Sequence, residues 1–280
     1  MNPDLKIDLH THSNRSDGTL TPAQLMAHAA AAGVEVIALT DHDTVDGLEE
    51  ARQGAAAHGL CLVPGVEISC TWRAQGIHVL GLWIDPGGPA LRRELDAQAE
   101  RRRVRMRKMC ARLEKCGLPG TELLAAVEAQ PGLPTRAHLA SAMVAGGHVD
   151  RAEEAFRKYL GAGKSANVAA EWPALVAVVG LIRAAGGVAV LAHPARYALS
   201  AGARRQLVAD FAAAGGAALE VVSGANAAQH VDAVAALARK AGLEGSVGSD
   251  FHNPQLTWNP LGRSLKLPDC VAPVWRGYIT

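Results

Sequence analysis

Paired thiols, long apolar runs, a strong net charge and nucleotide-binding glycine loops are all missing from this chain. The five cysteines, at 61, 70, 110, 116 and 270, are odd in number and nowhere spaced as CxxC. That argues against a disulfide framework or a thiolate metal site and reads as free thiols in a reducing cytoplasm. The longest apolar stretches, such as 176–182, are far too short to span a bilayer. Met1-Asn2-Pro3-Asp4 carries neither the basic nor the apolar region of a signal peptide, so a cytoplasmic location and no membrane contact are expected. A net charge of +1 leaves no global footprint for nucleic acid, so any polyanion site must be local. No P-loop or GxGxxG motif is present. Aromatic residues make up 4% of the chain. The tryptophans at 72, 83, 172, 258 and 275 read as core, with Trp72 the one placed to stack on a base.

What is abundant is apolar residue and histidine. At 280 residues and 49% apolar, the chain can bury a sizeable core as one large α/β domain, or one domain carrying an insertion. Of the 11 histidines, His28, His58, His148 and His230 fall in or beside expected helices and read as structural. Of the others, all but His78 and His138 fall at the ends of apolar runs.

The stretch from Ile7 to Gly18 opens as a buried strand and then delivers His10 and His12 on alternate residues, with Asp17 in the turn that follows. Residues i and i+2 of a strand share a face, so the two imidazoles present together. Alone this is weak, because an Asp-Gly turn signals only a turn. Other strand ends add to it. The strand 34–40 leads into Asp41-His42-Asp43, and 60–69 places Glu67 late in an apolar run, where an unpaired carboxylate costs several kcal/mol. The run 76–83 has His78 near its start, 187–194 ends at His193, and 243–252 ends at Asp250 and His252. Between these runs, helices are expected at 22–32 (Thr21 as N-cap, Pro22 leading), 45–58, 173–185, 204–214 and 227–241. A further strand is expected at 217–222.

Strands alternating with helices argue for a parallel sheet, open or closed as a barrel, with chemistry at the carboxyl ends of the strands. His78 is the exception to that placement. From Pro89 to about Trp172 the rhythm breaks into helices and polar loops with no convincing strand. This reads as a helical insertion (89–172) beside a barrel domain made of 1–88 and 173–280. It includes a strongly basic helix around 97–108 and further helices at 120–130 and 135–145.

The candidate metal ligands are therefore His10, His12, Asp17, His42, Glu67, His78, His193, Asp250 and His252. One ion takes about four to six ligands, so nine point to two or three divalent ions with Glu67 as a bridging carboxylate. Imidazole and carboxylate without thiolate fit Mn²⁺, Fe²⁺, Zn²⁺ or Mg²⁺. Donor chemistry does not choose among them; manganese is the working expectation. Clustered ions lower the pKa of a shared water and neutralise phosphoryl oxygens, which is the chemistry of phosphoester hydrolysis by a metal-bound hydroxide. No general acid can be assigned.

The motifs Asp8-Leu9-His10-Thr11-His12, Ser16-Asp17-Gly18, Leu39-Thr40-Asp41-His42-Asp43, Pro64-Gly65-Val66-Glu67, Ala192-His193-Pro194 and Gly248-Ser249-Asp250-Phe251-His252 together resemble the polymerase-and-histidinol-phosphatase (PHP) family. They occur in that family's order from residue 7 to 252, and all nine of its metal-ligand positions are filled. The resemblance implies a distorted (β/α)₇ barrel with a trinuclear metal centre. Within the family the chain is most similar to bacterial nucleoside 3′,5′-bisphosphate phosphatases, whose relatives include a 5′→3′ exoribonuclease. That likeness rests on Gly65-Val66-Glu67-Ile68-Ser69 before a Trp, His78-Val79-Leu80-Gly81-Leu82, Thr135-Arg136-Ala137-His138 and Ala192-His193-Pro194-Ala195-Arg196-Tyr197.

A bisphosphate carries a second phosphate that arginines should clamp. Arg136, in the loop after Pro134-Thr135, and Arg196, after the His193-Pro194 strand end, are the first candidates. Arg102, Arg103 and Arg105 of the basic helix follow, if that helix faces the barrel mouth, and then His138. The expected activity is removal of the 3′-phosphate from a nucleoside 3′,5′-bisphosphate. Its alternatives are 5′→3′ trimming of 5′-monophosphorylated short RNA, histidinol phosphatase or another small phosphomonoesterase, and a non-catalytic metal-binding accessory module. A small nucleotide, or the 5′ end of a short RNA, is the expected partner; no protein partner is implied.

Overall fold

The structure is a computed structural model, and it describes residues 5–224, 228–255, 260–262 and 265–279. Strand β1 is Ile7–Asp8, followed by helix α1, Pro22–Ala31. Thr21 caps α1 by accepting from the Gln24 N–H while the Gln24 side chain reaches back to the Thr21 N–H, and Pro22 supplies the preset φ of a first helical residue. Strand β2 is Val36–Leu39 and α2 is Leu48–His58, closed by Gly59 in the left-handed region. Strands β3 (Cys61–Trp72) and β4 (Gln75–Leu82) form a hairpin. After the insertion come α7 (Leu175–Ala184), β5 (Val188–Leu191), α8 (Ala201–Ala213), β6 (Ala218–Ser223), α9 (Ala228–Ala241) and β7 (Glu244–Gly248). Helix α8 starts earlier than expected because Ser200 caps it, its hydroxyl accepting from Ala203. The expected start of α9, Ala227, and the tryptophan at 258 lie outside the described residues.

The seven strands form one sheet in chain order, β1 to β7. Its two edges meet. Leu9 N–H donates to Val247 O at 3.0 Å and His12 N–H to Phe251 O at 2.9 Å, so the sheet is nearly closed as a barrel. Buried Leu9, Ile37, Leu39, Ile68, Leu80, Leu82 and Leu191 fill it and the layer beneath its helices. The sheet is mixed rather than parallel. Strand β4 runs antiparallel to both β3 and β5, because Arg73 and Ala74 turn the chain straight back instead of crossing over through a helix. The start of β4 therefore lies on the same rim as the ends of its neighbours, which resolves the odd placement of His78.

The segment between β4 and α7 is helical among its described residues: α3 (Pro89–Glu114), α4 (Gly120–Glu128), α5 (Arg136–Ala145) and α6 (Ala152–Ala155), the last running into a π-helical turn, Phe156–Leu160. It has its own apolar cluster, with Met106, Met109, Leu113, Leu123, Leu139, Met143 and Leu160 at its centre. Helix α3 reaches both cores. Leu91 and Leu95 of its first turns pack on the barrel, and Met106 onward packs on the second cluster. At 26 residues it is about 39 Å long at 1.5 Å per residue. No helix among the described residues is long and apolar enough to cross a membrane, and all five cysteines are free.

Candidate metal centre

The rim of the barrel brings all nine sequence-predicted ligands together around one carboxylate. Glu67 is fully buried. Its Oε2 lies 3.2 Å from His10 Nε2, 3.3 Å from His12 Nε2 and 3.1 Å from His42 Nδ1. Its Oε1 lies 3.0 Å from both His78 Nδ1 and His193 Nε2. Five imidazoles from four strands, two of them following β1, thus point at one side chain. Asp250 Oδ1 sits 3.4 Å from His10 Nε2 and 3.3 Å from His12 Nε2. On the outer side Asp17 Oδ1 is 3.3 Å from His252 Nε2 and 3.9 Å from His42 Nε2.

The neighbouring groups fix which nitrogens face inward. A carboxylate only accepts, so His10 Nδ1–H donates to Glu220 Oε1 at 2.9 Å, leaving Nε2 for the centre. The Ser16 hydroxyl donates to Asp41 at 2.6 Å, so its oxygen accepts from His12 Nδ1–H at 3.4 Å. Asp41 is itself pinned by the Ser13 N–H and hydroxyl at 2.8 and 2.6 Å. His252 Nδ1–H donates to the Asp250 carbonyl at 2.9 Å. All three rings therefore turn Nε2 toward the site, as metal-ligating histidines do when their other nitrogen is held.

Protonation follows the crowding. Burial alone would lower the His12 pKa, but hydrogen bonds to Asp250 and Glu67 push it up to about 10. His10 is likewise raised, burial being outweighed by Glu220, Glu67 and Asp250. Burial would raise Glu67, and His42, His10 and His78 hold it well below the usual carboxylate range. His42 goes the other way. Burial, with His12 and His78 beside it, keeps its pKa well below the ordinary value despite Glu67 and Asp17. Protons thus hold this cluster together where divalent cations would fit.

The donor set passes that fit test. Among the described residues, the buried atoms Glu67 Oε2, His42 Nδ1 and Asp17 Oδ1 find partners only within the cluster, at 3.1 to 3.9 Å, a costly state unless a cation joins them. Three groups of donor atoms each lie within 4.8 Å of one another: His12, Asp17, His42 and His252; His10, His12, Glu67 and Asp250; and His42, Glu67 and His78. His12, His42 and Glu67 each belong to two of them, the arrangement that shared ligands between adjacent ions require. His193 and Asp250 hold positive φ, at 32° and 55°, a strain that proteins keep at functional sites.

A second charged feature adjoins the rim. Arg102, Arg105 and Arg136 line one pocket with Thr135, Pro134, Met106 and Met109. Arg136 is the first residue of α5 rather than part of the loop before it, and Thr135 caps that helix. Arg102 is bound to the buried Asp43 at 2.6 Å and to the Ser69 hydroxyl at 3.0 Å, so it also struts α3 against β3. Arg105 and Arg136 make no ion pair among the described residues. Burial, then its neighbours Arg136 and Arg102, push Arg105 down to about 10; burial and Arg102 lower Arg136 as well. Arg103 lies on the exposed side of α3, 3.9 Å from Glu100, and does not line the pocket. Arg196 is ion-paired with Asp250 and donates to the Ser223 carbonyl.

His138 is buried and accepts the Thr135 N–H on Nδ1 at 3.1 Å, which puts its neutral-state proton on Nε2. Burial lowers its pKa, with Asp17 and Arg102 both close enough to act on it. The Leu133 N–H donates to the Arg15 carbonyl at 3.1 Å, tying the approach to α5 to the turn that carries Asp17.

Comparison with known proteins matches the PHP domain model to residues 8–98. A 5′-3′ exoribonuclease of Haemophilus influenzae is 42% identical over 98% of this chain and 99% of its own length. The chain belongs to the PHP family. A 3′,5′-nucleoside bisphosphate phosphatase of Chromobacterium violaceum is 41% identical over 96% of this chain and 95% of its own. A solved structure from the same organism, described as an amidohydrolase with bound sulfate and no metal, superposes with a TM-score of 0.91. It is 40% identical and covers 97% of this chain and 95% of that one.

Within this PHP chain, sequence reasoning passed over Glu220, the carboxylate behind His10. It sits in the apolar strand 217–222 just as Glu67 sits in its own, and the same logic of a buried, costly carboxylate would have found it. Trp72, by contrast, is not available to a base. It is buried, and its indole N–H donates to Asp210 at 2.7 Å. The tryptophan beside the arginines is Trp172, with the Arg102 and Arg105 guanidinium carbons 5.3 and 5.9 Å from its ring centre.

Proposed function

We propose that this protein is a metal-dependent phosphatase that removes the 3′-phosphate of nucleoside 3′,5′-bisphosphates, such as adenosine 3′,5′-bisphosphate, to leave the 5′-monophosphate. The observation that carries the reading is the pairing of two oppositely built sites: a histidine–carboxylate cluster shaped for cations, and beside it unpaired, mutually repelling arginines shaped for an anion. His10, His12, Asp17, His42, Glu67, His78, His193, Asp250 and His252 would hold two or three divalent ions, Mn²⁺ first among them. When bound, such ions supply Lewis acidity toward phosphoryl oxygens and acidify water.

The chain's own residues do the rest. Arg105 and Arg136 take the phosphate that is not cleaved, relieving their mutual repulsion. The proton that His138 carries on Nε2 serves as a hydrogen-bond donor to a phosphate oxygen. Arg196, held by Asp250, sits beside the ligand set and neutralises charge there. The helical segment 89–172 lies over the barrel mouth and shields the reacting groups from bulk water. The 41% identity to a named bisphosphate phosphatase supports this substrate class.

The exoribonuclease likeness favours a second reading, in which the same pocket holds the 5′-phosphate of a short RNA and the scissile bond is a diester. The deciding experiment is turnover of metal-reconstituted protein on adenosine 3′,5′-bisphosphate, adenosine monophosphates, histidinol phosphate and 5′-phosphorylated RNA. Preference for the bisphosphate is expected, and activity confined to histidinol phosphate would overturn the reading. Release of 5′-mononucleotides from RNA, with no turnover of the bisphosphate, would establish the second reading instead.

A further inference from the structure

We infer that Glu220 is a positioning residue that sets two metal-ligand histidines on opposite sides of the barrel seam; the inference rests on the metal reading of the cluster above. Glu220 is 1% exposed and lies on β6, behind the ligands rather than among them. One oxygen, Oε1, accepts from His10 Nδ1–H at 2.9 Å. The other, Oε2, accepts from the backbone N–H of His193 at 2.6 Å. A single carboxylate thus fixes the ring of a β1 ligand and the main chain of the ligand that follows β5.

Three features show that the fold accommodates this contact. The β6–β7 register shifts between Glu220 and Val222, and such irregularities beside sites re-aim a side chain. Gly248, the last residue of β7, leaves the space: a Cβ there would lie 2.3 Å from His10 Cβ and 2.6 Å from Glu220 Oε1. His193, whose N–H is held, is one of the ligands in the left-handed region, at φ 32°. The Glu220 hydrogen bond anchors that strained turn at the point where it must present the ring to Glu67.

The chemistry follows from what a carboxylate can do. Because both oxygens accept, His10 must carry its proton on Nδ1 and offer Nε2 to the centre. An amide in the same place has one acceptor and one donor. In E220Q, either the amide NH₂ faces the His193 N–H, two donors against each other, or it faces His10 Nδ1 and drives that ring's proton onto the ligating nitrogen. Either arrangement weakens metal binding without removing a ligand.

The test measures Mn²⁺ affinity and stoichiometry of wild-type and E220Q protein by calorimetry, beside circular dichroism and thermal melting of both metal-free forms. The expected result is a folded E220Q protein whose affinity falls about 10- to 100-fold. Wild-type affinity in folded E220Q would overturn the inference. Should E220Q fail to fold, nitrogen-15 NMR of Zn²⁺-loaded wild-type protein decides. His10 protonated on Nδ1 supports the role, and His10 protonated on Nε2 refutes it. If the wild-type protein itself binds no metal, the metal reading fails first and the inference with it.

Discussion

The barrel rim and the pocket at the start of α5 are both crowded with charge, but they are balanced in opposite ways. On the rim Glu67, Asp17 and Asp250 face imidazoles, and Glu67 alone has five within 3.3 Å. In the pocket Arg105 and Arg136 face each other and Arg102, no carboxylate lines it among the described residues, and Asp43 behind it is taken by Arg102. The rim holds its own protons in place of cations. The pocket holds cations in want of an anion. A phosphate ester bridging the two would satisfy both.

The largest effect should come from breaking the rim's balance. His12 belongs to two of the three donor groups, so His12→Ala should abolish detectable turnover and metal loading while the fold, read by circular dichroism, persists. Glu67→Gln removes the common acceptor of five imidazoles. At about 3–5 kcal/mol for breaking a buried pair, its metal affinity should fall by at least about two orders of magnitude. Retention of stoichiometric Mn²⁺ in either variant would mean that the cluster is not the metal site.

The pocket should respond differently. Arg136→Ala should leave metal loading intact and lower kcat/KM for the bisphosphate about 10- to 100-fold, from the roughly 1.5–3 kcal/mol of a charge-assisted hydrogen bond. Turnover of a monophosphate should change far less, so the ratio of the two substrates is the readout. An equal loss on both would remove the distinction between the sites.

Legibility in the sequence divided along the same line. Most of the nine rim residues stood out because they lie late in or just past apolar runs, and His10 and His12 alternate after one; Asp17 was marked by its turn and His78 only by its strand. The direction of β4 could not. Its two-residue turn, Arg73-Ala74, carries none of the Asn-Gly or Gly signals of a tight hairpin, so His78 looked misplaced until the strand was seen to run backward. The pocket was half legible. A basic run marks charge, but whether it faces inward depends on helix phase: Arg102 and Arg105 face in, and Arg103, beside them in sequence, faces water. Trp72 is core, as its residue type suggests; what the sequence did not show is that its indole is held by Asp210, 138 residues away, and is not free to stack on a base.

The rim's protons make a pH prediction. The His12 pKa is raised from 6.5 to about 10 in the folded state, so its contribution is fully present below pH 6.5 and is lost as pH rises through about 10. His10 and His252 shift in the same direction. His42, depressed, is neutral in both states above 6.5 and adds nothing there. Glu67, Asp17 and Asp250, also depressed, are ionised in both states across this range. Metal-free protein should therefore lose thermal stability between pH 6.5 and 10, while the extra stability gained on adding Mn²⁺ grows, because protons cease to compete. A metal-free melting temperature that rises over this range would contradict the protonated cluster.

The smallest effect tests the scaffold behind the rim. The Tyr197 hydroxyl accepts the His78 N–H at 2.8 Å, and its ring lies edge-on to His193 at 5.3 Å. Tyr197→Phe should keep the ring contact and cost about 0.5–1.5 kcal/mol of stability by denaturant titration, with metal stoichiometry unchanged.

The most direct test of the whole is anomalous diffraction from crystals grown with Mn²⁺. Two or three manganese peaks should appear among the nine rim ligands, with Glu67 touching at least two of them and none in the arginine pocket. A single ion with Glu67 outside its coordination sphere, or manganese bound elsewhere on the chain, would contradict a centre organised around that carboxylate.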